Sequence, residues 1–325
     1  MSDTIRWGIA STGNISASMA TALAGIDAAA VVAVGSRSQE SADAFAAEHS
    51  IPAAHGSHAD LCADPAVDVI YIGSPHSEHH DMTIEALDAG KHVLCEKAFA
   101  LNRPDAEAMI AAAQRNERFL MEAMWSWFMP GWHDLRRRIE DGEIGEIVSI
   151  DANFGLRITD PDGRHRRLDI GGGALLDLGI YPLSIARFLL GEPTDVRALG
   201  RLTAGGADAA VAGSMLHESG AVTTFSTSLD AASDLTARVV GTSGLVEIHA
   251  PFWCPTAYTI VVDGERERVE TPHRGLAHEA EHVMERIRGG HLESDVQTWN
   301  ATLANMELMD EIRRQVGVFY PSEIG

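Results

Sequence analysis

The sequence predicts an α/β Rossmann domain over residues 1–125 and an α+β domain over residues 126–325 whose sheet is open-faced and largely antiparallel. Three observations lead there. Up to about residue 125, short apolar runs alternate with segments of helical period, the order of a parallel sheet wound with helices. Beyond that point strand-like runs follow one another with few helices between them, the order of a hairpin-rich sheet. The first apolar run also ends in a tight turn that leads straight into a helix, the opening of a dinucleotide-binding unit. A chain of 325 residues is long enough for two cores.

Composition narrows the class. A net charge of -22 argues against nucleic acid or an anionic membrane as partner, so any phosphate must be held by local geometry. No stretch has the unbroken apolar length of a membrane span, and the chain enters a strand by Ile5 with no basic-then-apolar leader before it. A cytoplasmic protein is the expectation. Cys62, Cys95 and Cys254 are far apart and odd in number, which suggests reduced thiols without a disulfide framework or zinc spacing.

Taken in order, residues 5–10 form an apolar strand that ends in Ser11-Thr12-Gly13-Asn14-Ile15-Ser16. Ile15, Met19 and Leu23 then recur at helical spacing. The dinucleotide fingerprint G-x-G-x-x-G is degraded here: Ser11 and Ser16 replace its outer glycines, and Gly13 alone remains where backbone must approach the pyrophosphate. The second strand, 30–35, leads into Ser36-Arg37-Ser38. An NAD-preferring site usually has an acid there; a guanidinium and two hydroxyls suit a 2′-phosphate, so NADP is the expected cofactor. An exposed arginine at a helix start is the plainer alternative.

A helix over 39–49, a short strand at 53–55 and a helix over 57–63 follow. The strand at 67–73 is apolar throughout, as a central parallel strand should be, and ends in Ser74-Pro75-His76-Ser77-Glu78-His79-His80. Three histidines invite a metal, but acidic partners at fixed spacing are lacking and no metal site is expected. A loop at the carboxyl end of a parallel strand is where ligands bind, so Ser74, His76 and His79 read as cofactor contacts. After a helix over 81–89, the strand at 92–97 presents Glu96 and Lys97 at its carboxyl end, and a helix over 104–116 and a strand over 119–124 close the domain.

Aromatic residues crowd the domain edge at Trp125-Ser126-Trp127-Phe128, and a helix over 131–141 follows. Strands are expected at 147–154, 196–202, 209–216, 222–229, 236–241, 246–249 and 258–262. Between the first two lies a helix opened by Gly171-Gly172-Gly173 and stopped by Gly191 and Pro193. Nearly every position in it is apolar, so it should be buried on most sides. Into it the sequence sets a carboxylate and a phenol, Asp177 and Tyr181, four apart on one face, and Pro182 is expected to kink it just past the tyrosine. A long amphipathic helix over about 295–318 ends the chain and is placed to pack back on the first domain.

Together Ser11-Thr12-Gly13-Asn14-Ile15, Cys95-Glu96-Lys97 and Asp177-x-Gly179-x-Tyr181 resemble the glucose–fructose oxidoreductase/inositol dehydrogenase (Gfo/Idh/MocA) family. Glu122-Ala123-Met124-Trp125, 172–181, Trp253-Cys254-Pro255 and the tail at 317–321 are most similar to its dihydrodiol and NADP-dependent D-xylose dehydrogenase branch. The resemblance implies a Rossmann domain, an open-faced sheet domain that carries substrate contacts, and a homodimer. It also implies that Lys97 and Tyr181 sit together over the nicotinamide with Asp177 beside them. Ala98 departs from the family's usual proline, and Tyr181 stands where many members have histidine.

On that basis the chain should move a hydride between NADP and a hydroxyl-bearing carbon of a small polyol, an aldose or a trans-dihydrodiol. A free phenol titrates near 10, too high for a base at neutrality, and a lysine ammonium beside it lowers that value. Asp177 would keep Lys97 charged or anchor a substrate hydroxyl. Trp125, Phe154 and Trp253 are candidates for an apolar wall against the substrate ring, with ordinary core as the alternative for each. Two rivals stay open: a non-catalytic dinucleotide-sensing regulator, and an inositol-type dehydrogenase.

Overall fold

A computed structural model describes residues 4–324. The chain forms two compact units. One runs through Trp125 and takes in Arg274–Leu303; the other is Ser126–His273 with the residues from Ala304 onward. Sequence reading put 126–325 in the second domain, with only the helix from about 295 returning to the first.

In the first unit six parallel strands alternate with five helices: β1 (Ile5–Ala10), α1 (Asn14–Ala24), β2 (Ala29–Gly35), α2 (Gln39–His49), β3 (Ala53–His55), α3 (His58–Ala63), β4 (Val69–Ile72), α4 (His76–Asp88), β5 (His92–Glu96), α5 (Arg103–Asn116) and β6 (Leu120–Ala123). Their order across the sheet is β3-β2-β1-β4-β5-β6. The strand order therefore reverses between β1 and β4, and in such sheets the crevice at the carboxyl ends of those strands is where a dinucleotide lies. Strand β4 is buried along its whole length, because helices cover both faces of a parallel sheet.

The second unit opens with α6 (Pro130–Glu140) and β7 (Ile147–Gly155). One π-helical turn, Leu175–Gly179, leads into α7 (Ile180–Leu190), followed by β8 (Pro193–Leu202), β9 (Asp208–His217), β10 (Val222–Ser228), β11 (Ala237–Gly241), β12 (Gly244–Ile248), β13 (Ala257–Val262) and β14 (Glu265–Glu270). The eight strands lie in the order β14-β13-β12-β11-β7-β10-β9-β8, antiparallel except where β10 meets β7. Strand β14 is absent from the sequence reading. Its residues, Glu265-Arg266-Glu267-Arg268-Val269-Glu270, have no apolar alternation, and it forms because Asp263 and Gly264, at φ of 51° and 82°, turn the chain back on β13. The chain ends with α8 (Ala277–Arg288), which belongs to the first unit, α9 (Trp299–Val316), whose residues fall to both units, and α10 (Pro321–Ile324).

One face of the large sheet packs against α7, which is buried from Ile180 to Phe188. Its other face is open: Leu199 is 83% exposed and paired with exposed Ala212, and Leu216 and Val222, paired across β9 and β10, are exposed as well. Trp132 of α6 is fully buried, and its indole N–H donates to the carbonyl of Phe252 at 3.1 Å.

Trp132→Phe keeps most of the packing but leaves that buried carbonyl without its donor. The expected loss is about 1–3 kcal/mol, seen as a lower urea midpoint with an unchanged slope.

Candidate active site

The crevice end of the first unit holds the residues singled out for cofactor binding. Ser11 stands where the fingerprint has its first glycine, yet its backbone takes a turn that favours glycine, with φ of 102°. A non-glycine residue there costs on the order of 1–3 kcal/mol and is characteristic of functional loops. Its Oγ accepts the N–H of Gly13 at 3.3 Å. No side chain caps α1 at Gly13, and Gly13, Asn14 and Ile15 are exposed, with Thr12 half-buried. An uncapped helix start with a bare glycine is ready for a pyrophosphate. The third fingerprint glycine allows close packing of helix on strand. Here that position is Ser16, and the clearance comes from the far side: a Cβ on Gly73 would lie 2.6 Å from Ser16 Oγ.

At the end of β2, the Ser36 N–H donates to the His55 carbonyl at 3.0 Å, and Arg37 is exposed. The Ser38 hydroxyl, counted in sequence as a second phosphate ligand, caps α2 by accepting the Ser41 N–H. Ser36 and Arg37 remain as the groups suited to a 2′-phosphate.

Ser74 is half-buried, and His76 and His79 are buried edge to face with ring centroids 5.5 Å apart. The two nitrogens of His79 lie 2.9 Å from the Ser74 carbonyl and 3.0 Å from that of Ala98. Burial, with His76 adding to it, pushes His79 down to about 3. A neutral ring donates to one of those carbonyls at a time, so His79 ties the β4 loop to the segment after Lys97. The Lys97–Ala98 peptide is cis. Glu96 is buried; it accepts the Tyr71 hydroxyl at 2.6 Å and the Lys97 N–H at 3.2 Å. Behind it Glu279 of α8 is fully buried, its carboxyl pushed well up first by burial and then by Glu96. Of the described residues, His58, Cys62 and Glu85 form one group able to hold a metal. A 2.7 Å hydrogen bond from His58 to Glu85 fastens α3 to α4 there.

In the second unit the expected single helix is interrupted. A π-helical turn at Leu175–Gly179 precedes Tyr181, and α7 continues from Ile180. Pro182 has no N–H for the Leu178 carbonyl, so the ladder loosens upstream, where an extra residue fits a wider turn. Asp177 lies in that turn and is buried. The glycine run is explained by what approaches it. A Cβ on Gly172 would lie 2.5 Å from the Arg164 carbonyl oxygen and 2.7 Å from that of Arg167, and a Cβ on Gly173, at φ of 149°, would run into Asp208. Asp208 Oδ2 accepts the Leu175 N–H at 2.6 Å, capping the turn, while Arg164 Nη1 lies 3.1 Å from Asp177 Oδ1. Burial pushes Asp208 up to about 6, eased by the Leu175 N–H and increased by Asp177.

Tyr181 packs against two of the predicted wall residues. Phe154 and Trp253 stack with centroids 3.9 Å apart and planes 8° apart; Tyr181 lies 5.5 Å from the first and 5.6 Å from the second, tilted by about 40°. Trp253 follows Phe252, whose ring is edge-on to both. Trp125, the third wall candidate, is half-buried and ends the first unit, which also contains Lys97.

Four polar residues here escaped sequence reading: Tyr71, Glu279, Arg164 and Asp208. Tyr71 left a trace, since a phenol in an all-buried strand needs a partner for its hydroxyl. Nothing marked Arg164 within Gly163-Arg164-His165-Arg166-Arg167, where four of five residues are basic or ring-bearing.

Comparison with known proteins gives the same two-part division. A family model for an oxidoreductase family with an NAD-binding Rossmann fold matches residues 5–124, and one for the GFO/IDH/MocA C-terminal domain matches residues 132–247. Over 330 residues the chain is 35% identical to trans-1,2-dihydrobenzene-1,2-diol dehydrogenase of Xenopus tropicalis, covering 97% of this chain and 99% of the relative. The human protein of that name is 34% identical over 333 residues, with coverage of 98% and 99%. Among solved structures, aldose-aldose oxidoreductase from Caulobacter crescentus, complexed with glycerol, matches with a TM-score of 0.89 at 26% identity, covering 97% and 98%. A 3-ketoreductase from Actinomadura kijaniata, complexed with NADP and TDP-benzene, matches with a TM-score of 0.89 at 25% identity, covering 96% and 98%.

The position of Asp208 sets a pH test. Its folded value, about 6, lies above the unfolded value of about 3.9. Its contribution to stability is therefore full below pH about 4 and lost as pH rises through 6. Asp208→Asn keeps an acceptor for the Leu175 N–H and cannot ionise. The stability of wild type relative to this variant should fall by on the order of 2–3 kcal/mol between pH 4 and pH 7, read from urea midpoints.

Proposed function

The chain belongs to the Gfo/Idh/MocA oxidoreductase family and is an NAD(P)-dependent dehydrogenase, and we propose that it moves a hydride between NADP and a hydroxyl-bearing carbon of a small polyol. An aldose such as D-xylose and a trans-dihydrodiol are the substrates that suit it. The observation that carries this reading is the phenol of Tyr181 set against the stacked Phe154 and Trp253, one turn from the Asp177 carboxylate. Such a wall meets the C–H face of a ring while the phenol and carboxylate address its hydroxyls. The relatives named for a dihydrobenzene diol and for aldoses act on ring or polyhydroxyl molecules of that kind.

Preference for NADP rests on exposed Arg37 beside Ser36, with no acid at the end of β2. When bound, NADP supplies the hydride chemistry at its nicotinamide. Ser11, Gly13 and the uncapped start of α1 would receive the pyrophosphate, with Thr12, Asn14, Ile15, Ser74, His76 and Glu96 around it. Tyr181 would take the hydroxyl proton during oxidation and return it during reduction. A Lys97 ammonium beside that phenol, as the resemblance implies, would favour the phenolate form and donate to the reacting oxygen. Trp125 would extend the wall. If the chain forms the homodimer its resemblance implies, the exposed apolar residues Leu199, Leu216 and Val222 on the open sheet face are the surface suited to it.

The direct test is NADPH absorbance on incubation with NADP and a panel of aldoses and dihydrodiols; no turnover across the panel would overturn the substrate assignment. Lys97→Met and Tyr181→Phe should each lower turnover by about 100-fold while leaving NADPH binding intact. Arg37→Ala should raise KM for NADP and leave that for NAD unchanged. Leu199→Glu should convert the dimer to a monomer in light scattering.

A further inference from the structure

Asp177 is a carboxylate in an apolar helix, with its side chain 5% exposed. Burying such a group is costly unless a cation or several donors answer it. A second carboxyl group makes matters worse in this unit: Asp208 feels the Asp177 charge, and the Tyr320 hydroxyl is pushed up by burial first and then by Asp208 and Asp177. Asp208 is answered by the Leu175 N–H. Asp177 is met by Arg164, whose side chain is 52% exposed and whose Nη1 lies 3.1 Å from Oδ1.

Two features distinguish this pair from an ordinary surface contact. The loop that brings Arg164 is fixed at its other end, where the Arg166 guanidinium donates to the carbonyls of Ile158 and Leu229 and to Asp230. Its backbone also lies against the helix start. The Gly172 N–H donates to the Arg167 carbonyl at 2.8 Å, and any side chain at 172 would strike the Arg164 carbonyl oxygen. A glycine at 172 is thus required for Arg164 to stand where it does.

We propose that Arg164 is a positioning residue of the dehydrogenase reaction: its guanidinium, held in place by the loop that Gly172 admits, supplies the counter-charge of Asp177 and fixes the orientation of that carboxylate. The inference rests on the reading of Asp177 as a site residue. In this role Arg164 works through Asp177, which its Nη1 meets at 3.1 Å, and not on the cofactor or the reacting carbon. Its loss would let the carboxylate turn or draw in water, which misplaces whatever Asp177 holds. A misplacement of that size lowers the chemical step by about 100-fold at most.

The test uses the full-length enzyme with its best panel substrate and four variants: Arg164→Ala, Arg164→Lys, Gly172→Ala and Asp177→Asn. Arg164→Ala should lower kcat by about 10-fold or more, with NADPH affinity unchanged. Arg164→Lys should recover most of that loss. Guanidinium at about 0.02 M, far below denaturing levels, should partly restore Arg164→Ala and do nothing for wild type. Gly172→Ala, which displaces the loop without removing a charge, should repeat the kcat loss. Wild-type turnover in Arg164→Ala alongside an impaired Asp177→Asn would overturn the proposal. So would a loss in Arg164→Ala that neither lysine nor guanidinium reverses, accompanied by a lower Tm. Wild-type turnover in Asp177→Asn would instead remove the premise that Asp177 serves the reaction.

Discussion

Two missing side chains govern the polar chemistry of the second unit. Because Gly172 and Gly173 have no Cβ, a loop backbone and a carboxyl group can both reach the start of a buried helix. Asp208 then satisfies the Leu175 N–H, and Arg164 meets Asp177. An apolar helix end buried without such partners would leave donors orphaned, and a lone carboxylate inside it would be expelled or protonated. With them, the chain sustains a π-helical turn that sets Asp177 one turn before Tyr181, and α7 runs on as an ordinary helix to its stop at Gly191.

The first unit solves a related problem with different residues. Its nucleotide turn keeps the middle glycine of the fingerprint and replaces the other two, but the geometry those glycines serve is preserved. Ser11 takes the backbone conformation itself, and Gly73, just past the neighbouring strand β4, makes the room that Ser16 no longer leaves. What a dinucleotide site requires is a conformation and a clearance. Either can be met from an unexpected position, which is why a motif scan reads this turn as weak while the fold around it is regular.

Much of the architecture was legible because it depends on period and order. Alternating strands and helices, the buried strand at β4 and the apolar helix around Tyr181 all follow from where apolar residues fall. The stacked wall of Phe154 and Trp253 was legible only through resemblance, since no spacing joins residues so far apart. Interactions set by three-dimensional approach were not legible at all: Arg164 is one arginine in a basic loop, and Ser38 looked like a phosphate ligand until its hydroxyl proved to cap a helix. The π-helical turn had a cause in Pro182 but no signature of its own in the sequence. Residues 274–303 fold with the first unit, with contacts such as the Gln297 amide to Glu122; the amphipathic period pointed to such a return for the helix from about 295, but nothing in the sequence marked it for α8.

The charged strand β14 bears on how this protein meets others. An eight-stranded sheet has two rims, each a row of backbone groups to which a stray strand could add. On one rim Glu265, Arg266, Glu267, Arg268 and Glu270 form a palisade of alternating charge; on the other β8 carries Asp195, Arg197 and Arg201. A chain approaching either rim would have to strip water from those charges before its backbone could pair. The sheet is therefore closed to lateral growth and the fibrous assemblies that begin that way, and its unguarded surface is the broad one between the rims.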